Sequence, residues 1–143
     1  SAPAASIFVA TAAVADWRPA SAAEQKIKKD ASGLPPALSF VENTDILATI
    51  AQSPRAKSGA LYCVGFAAES HDLLQHATAK RIRKGVPLLV GNIGPATFGQ
   101  DDNALLLVDA DGATEIARND KLTLARQLVA EIARRRKAAA TTA

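Results

Sequence analysis

Asp16 and three lysines, Lys26, Lys28 and Lys29, stand close together in the stretch AAVADWRPASAAEQKIKKD, Ala12 to Asp30. The apolar run Ile7-Phe8-Val9-Ala10 leads into it and has the composition of a buried strand. A strand that empties into a loop carrying one carboxylate and a lysine cluster suits a polyanion such as a nucleotide. Ligands of open α/β sheets bind just beyond the carboxyl ends of the strands. The plainer alternatives are a solvated charge run for the lysines and a helix or turn cap for Asp16.

A second set of cations lies further on. A helix is expected from His71 to Lys84, with Ser70 able to cap it and Gly85 placed to end it. At about 100° per residue, Leu73, Ala77, Lys80 and Lys84 share one stripe. The stripe begins apolar and finishes with two lysines, whose ammonium heads must reach water or an anion. Basic residues near a helix C-terminus also answer the macrodipole, so a structural role competes here too. Phe66, in the apolar run before this helix, is either core or a platform for a base. His71 and His76 have no acidic or cysteine neighbours at ligand spacing, and no metal is assigned to them. There is no GxxxxGK[ST], no GxGxxG after a strand, no GxSxG and no credible Cys–His pair. Hydride transfer and acyl-enzyme chemistry therefore have little support.

Of 143 residues, 48% are hydrophobic and 22% charged, an ordinary balance for one globular domain. The net charge is only +3, but the basic residues gather at Lys26–Lys29, Lys80–Lys84 and Arg134–Lys137. Such clustering favours local anion sites over a diffuse nucleic-acid surface. Cys63 is the only cysteine; it lies in an apolar run and reads as a buried structural thiol in a reducing cytoplasm. No run approaches the ~20 apolar residues needed to span a bilayer. The chain begins Ser-Ala-Pro, as a piece of a longer protein would.

These residues must be held by alternating strands and helices. Strands are expected at 7–11, 38–41, 61–67 and 87–90, and a hairpin of 104–108 and 113–117 around Asp109-Ala110-Asp111-Gly112. A short helix capped by Asn43 or Thr44 has Ile46, Leu47 and Ile50 on its apolar face. A last helix starts at Asn119 or Asp120, with Leu122, Ala125, Leu128, Val129 and Ile132 as its stripe, and frays in ARRRKAAATTA. The loop up to Pro36 and the loop 91–103 are long enough to be functional or mobile. The class is α/β: a Rossmann-like, mainly parallel sheet with flanking helices and a C-terminal antiparallel hairpin. Residues 1–137 form the domain and 138–143 a disordered tail.

Five segments, in order, resemble the phosphopantothenoylcysteine synthetase family of coenzyme A biosynthesis. They are AAVADWRPA with KIKK; ENTDIL, Glu42 to Leu47; VGFAAES, Val64 to Ser70; KRIRKG, Lys80 to Gly85; and FGQDDNALLLV, Phe98 to Val108. The resemblance implies a cytoplasmic ligase that activates the carboxylate of 4'-phosphopantothenate with CTP and Mg2+, then joins it to cysteine. It puts Asp16, Lys26, Thr44, Asp45, Ile46, Leu47, Phe66, Lys80 and Lys84 at nucleotide-contacting positions, with Lys26 also catalytic. Further implications are a homodimer and an N-terminal decarboxylase domain, which alone carries FMN; neither nucleic acid nor membrane is a partner.

Three departures stand out. The family's ANDV is GNIG here, Gly91 to Gly94; the proline of its NPD is Thr44; and the family's own N-terminal part, with a glycine-rich loop and an acyl-handling asparagine, does not precede Ser1. The chain is thus expected to begin within the synthetase domain and to be inactive alone. The rival from another class is a non-catalytic basic nucleotide- or RNA-binding module. One tryptophan, one tyrosine and four phenylalanines give it few stacking platforms.

Overall fold

A computed structural model of the chain describes residues 4–11, 14–21, 31–35, 37–69, 71–93 and 102–142. The chain divides into two compact units, Ala12–Asp45 and the remainder.

The larger unit is built on a five-stranded sheet. Its strands are β1 (Ile7–Ala10), β4 (Tyr62–Ala67), β5 (Leu88–Asn92), β6 (Asp102–Val108) and β7 (Ala113–Asp120), side by side in that order. β1, β4 and β5 are parallel. β6 and β7 extend the sheet as the antiparallel hairpin that the turn residues predict. Asp109 closes that turn: its Oδ1 accepts from the amides of Asp111 and Gly112 at 2.8 and 3.1 Å. Gly112, at φ 142°, supplies the positive φ.

Side-chain alternation sorts the strands onto two faces. Tyr62, Val64, Leu88, Val90, Leu105 and Leu107 meet Leu124, Leu128 and Ile132 of α4 (Lys121–Thr142). Cys63, Ala67, Leu89 and Val108 face the other way, against Ala51, Ala77 and Val86. That second face is covered by α1 (Ile46–Ala51), α2 (Pro54–Lys57) and α3 (Leu73–Lys84). β4 and β5 are buried on both faces, which is why they read as unbroken apolar runs.

α3 links the carboxyl end of β4 to the amino end of the parallel β5, so it runs back across the sheet. Leu73 in its first turn packs where a Cβ on Gly91 would sit, 2.8–3.3 Å away. Gly85 ends the helix at φ 70°, donating to the carbonyls of Arg81 and Ile82. Ser70, the expected cap, lies outside the described residues. The position before the first helical residue is Asp72, in the left-handed region at φ 47°.

The smaller unit holds a separate two-stranded sheet. β2 (Trp17–Pro19) pairs antiparallel with β3 (Phe40–Glu42), Trp17 opposite Glu42 and Pro19 opposite Phe40. The expected strand at 38–41 therefore starts later and does not join the main sheet. Its partner comes from the stretch read as loop, since WRP carries no period a three-residue strand could show. α2 was not expected either; Ser53 caps it by accepting from the amide of Ala56 at 3.3 Å. α4 continues through Thr142, past Lys137, where the sequence predicts fraying. Ala138–Ala140 has the best helical propensity of any residue type, and the hydroxyls of Thr141 and Thr142 donate to the carbonyls four residues back.

Candidate functional site

In the smaller unit, three of the residues expected at a site are fastened by one asparagine. Asn43 follows β3 directly. Its amide donates to the carbonyl of Asp16 at 2.7 Å, and its Nδ2 donates to the carbonyl of Ala15 at 2.7 Å. Its Oδ1 accepts from Arg18 Nη1 at 2.9 Å. Through its backbone N–H and its side chain, Asn43 thus ties the segment of the exposed Asp16, before β2, to that of the exposed Thr44 and Asp45, after β3. Sequence reasoning saw Asn43 as a possible helix cap and as part of the family-like ENTDIL segment, but gave it no role at the site.

In the larger unit, Ile46 and Leu47 open α1. Ile46 is exposed, while Leu47 packs on the inner face beside Gly65, where its Cδ2 would lie 2.7 Å from an added Cβ. Gly65 explains the glycine in VGFAAES: it is the place where α1 rests directly on the sheet. Phe66 is half-buried and packs against the core on the α4 face, one position before the carboxyl end of β4.

Lys80 and Lys84 sit one turn apart on α3, both half-buried, on the stripe that starts with Leu73 and Ala77. The stripe leaves the core as the residue pattern predicts. α3 covers the face opposite to Phe66, and its last turn lies by the amino ends of the strands. Phe66 and Lys84 are thus at opposite edges and opposite faces of the sheet. Lys26, Lys28 and Lys29 lie outside the described residues, as do residues 94–101 of the expected loop 91–103; Gly91 and Asn92 of that loop are in β5.

A polar group at the carboxyl edge was missed as a group. Glu69 Oε2 is 3.5 Å from His76 Nδ1, an ion-pair distance without a hydrogen bond, and the rings of His71 and His76 meet edge to face at 5.3 Å. The i, i+5 spacing hides this, because His71 precedes the helix that carries His76. No group of three or more His, Cys, Asp or Glu able to hold a metal occurs among the described residues. None of their helices is long and apolar enough to cross a membrane.

Comparison with known proteins fixes the family. The family model for the DNA/pantothenate metabolism flavoprotein C-terminal domain, DFP, matches residues 1–135. The chain belongs to the DFP family. A DFP relative in Escherichia coli, the coenzyme A biosynthesis bifunctional protein CoaBC, is 40% identical over 133 residues, covering 90% of this chain and 32% of the relative. The chain spans only about a third of the length of the curated relatives it matches. The crystal structure of the C-terminal domain of CoaBC superposes with a TM-score of 0.62 at 25% identity, covering 89% of this chain and 53% of that one. A Cab2 mutant in complex with phosphopantothenate-cysteine shares the fold, with a TM-score of 0.57 at 16% identity, over 74% of this chain and 34% of that one. The Rossmann-like α/β class read from the alternation of elements thus holds for this DFP domain and its neighbours.

Proposed function

We propose that this chain is the nucleotide-handling portion of a CTP-dependent phosphopantothenate–cysteine ligase. The observation that carries the reading is the DFP match over residues 1–135, together with 40% identity to CoaBC. A carboxylate oxygen of 4'-phosphopantothenate attacks the α-phosphorus of CTP, and the bond to pyrophosphate breaks. The amine of cysteine then attacks the acyl carbon; CMP leaves, the nitrogen loses its proton and an amide remains.

The roles assigned to residues are part of the proposal. Asp16, Thr44 and Asp45 take the ribose or the amino group of the base, and Asn43 holds the two segments at a fixed separation. Phe66 offers one ring edge to the base at the carboxyl edge. Lys26 neutralises the charge that builds on the α-phosphate and the departing pyrophosphate. Lys80 and Lys84 act as mobile point charges on the triphosphate. The same reading includes a homodimer, with the lysine loop of one protomer closing on the nucleotide of the other.

Mg2+ would supply further neutralisation of the triphosphate. It is commonly held by phosphates, waters and one or two carboxylates, which exposed acids such as Asp16 fit without an all-protein cage. The decarboxylase partner domain with its FMN and the cytoplasmic setting belong to the same reading.

The test is a thermal-shift panel of CTP, ATP, GTP and short RNA, with and without Mg2+. Selective stabilisation by CTP is expected, growing with concentration as binding to the folded state requires. Salt-sensitive stabilisation by RNA exceeding that by CTP would replace the ligase with the basic binding module.

A further inference from the structure

The amino edge of the parallel strands, where α3 ends, holds a cavity of about 530 Å3 whose lining includes none of the residues given a role above. Every residue lining it belongs to the larger unit. Its position follows from the layers. Tyr62 and Cys63, first in β4, point to opposite faces of the sheet and both open onto it. The C-terminal parts of α3 and α4 bring Arg81 and Arg136 to it from those two faces. Leu61 and Val86 contribute to a wall that is mostly apolar.

None of the described residues lining the cavity is acidic. Arg81 Nη1 donates to the carbonyl of Val86 at 3.2 Å, but its buried Nε–H has no hydrogen-bond partner among the described residues. A buried donor on a full charge is costly until an acceptor meets it. The C-terminus of α3 offsets only about half a unit charge. Two guanidinium groups therefore leave the cavity cationic, within a volume typical of small-molecule sites. This also gives a place to Arg136 of the Arg134–Lys137 cluster, which the ligase reading does not use.

We propose that this cavity binds a small amphipathic anion, its acidic head on Arg81 and Arg136 and its apolar body against Leu61 and Val86. The inference rests on the cavity alone and stands or falls independently of the ligase reading. A fatty or aryl acid meets the description, and the two are separated by the probes.

The experiment titrates decanoate, decanol and the aryl sulfonate 8-anilinonaphthalene-1-sulfonate into the 143-residue chain. Fluorescence of the sulfonate should rise saturably, and decanoate should displace it from one site. Decanol should compete at least tenfold more weakly, because it brings the same apolar body without the charge. Arg136→Gln should weaken decanoate tenfold or more with the melting temperature unchanged. Ala139→Glu, which adds a carboxylate to the exposed rim, should do the same by repulsion and stands in if Arg136→Gln perturbs folding. Equal affinity for decanol, unchanged decanoate affinity in both variants, or no saturable binding would each overturn the proposal; in the last case water alone serves Arg81. Saturable binding of the sulfonate without displacement by decanoate would restrict the site to aryl acids.

Discussion

Gly65 has no side chain because two leucines already occupy the space a Cβ would take. Leu47 Cδ2 and Leu89 Cδ1 would each stand 2.7 Å from it. Both are ends of flexible side chains, so Gly65→Ala should fold, but with α1 pushed off the sheet. Overpacking of this kind costs about 1–3 kcal/mol. Chemical denaturation should show a loss in that range, and the CTP-induced thermal shift should shrink with it, since α1 continues directly from Thr44 and Asp45. An alanine variant as stable as the parent would mean that the leucines rotate away freely. Lys26→Gln tests the proposed chemistry more directly. In the intact enzyme it should cut acyl-cytidylate formation by roughly 2–4 kcal/mol of transition-state stabilisation and leave the melting temperature alone. Near-normal turnover would remove Lys26 from the mechanism. Single residues also show how far the sequence could be read. Lys80 and Lys84 were legible as cations at the end of an apolar stripe because helical period is a local property. Asn43 was not legible as a fastener, because its partners Ala15 and Asp16 lie far along the chain and only the fold brings them to it.

At the scale of elements, α4 is held at two places by different means. Its start is capped by Asp120, whose Oδ1 accepts from the amide of Thr123 at 2.9 Å. Further along, Arg135 reaches across to the hairpin turn, pairing with Asp109, and to Glu131 at 2.9 Å on its own helix. Arg134 bonds Glu131 as well, at 2.6 Å. The sequence showed ARRRK only as a basic run near a fraying end; the acids that partner it come from a turn and from the preceding helical turn. The bonds from Arg134 and Arg135 outweigh partial burial and pull the Glu131 carboxyl down from 4.5 to about 2. Burial likewise opposes the shift at Asp109, yet Arg135 and the amides of Asp111 and Gly112 hold it below the usual carboxylate range. A depressed carboxylate stabilises the fold fully above its unfolded value, and the stabilisation is lost as pH falls towards the folded one. The window for Glu131 is therefore about 4.5 down to about 2. After allowance for solvent screening, about 1–2 kcal/mol should go across it. Melting temperatures measured over this range should fall more steeply for the parent than for Glu131→Gln. Parallel slopes would show that the arginines add nothing to stability through Glu131.

At the scale of the whole molecule, the alternation of strands and helices made the class of the larger unit legible, because period and β-branched runs report burial. The separate small unit was not legible, because β2 and β3 are short and exposed and a two-stranded ribbon leaves little periodic trace. The same division bears on activity. The chain carries Asp16, Lys26, Thr44, Asp45, Phe66, Lys80 and Lys84, yet spans 53% of the solved C-terminal domain of CoaBC. Groups for the pantothenate carboxylate and its activated form are expected in the part of the domain it does not span. Positioning both reactants supplies much of the rate in a ligation, so half a site should lose chemistry before it loses binding. Incubated with CTP, Mg2+, cysteine and 4'-phosphopantothenate, the purified 143-residue chain should be stabilised by CTP yet release no pyrophosphate and form no amide product by mass spectrometry. A polypeptide that also spans the rest of that domain should do both. Turnover by the short chain comparable to that of a full-length relative would show that the acyl-handling groups lie within these residues after all, and the search for them would begin with Glu69, His71 and His76 at the carboxyl edge.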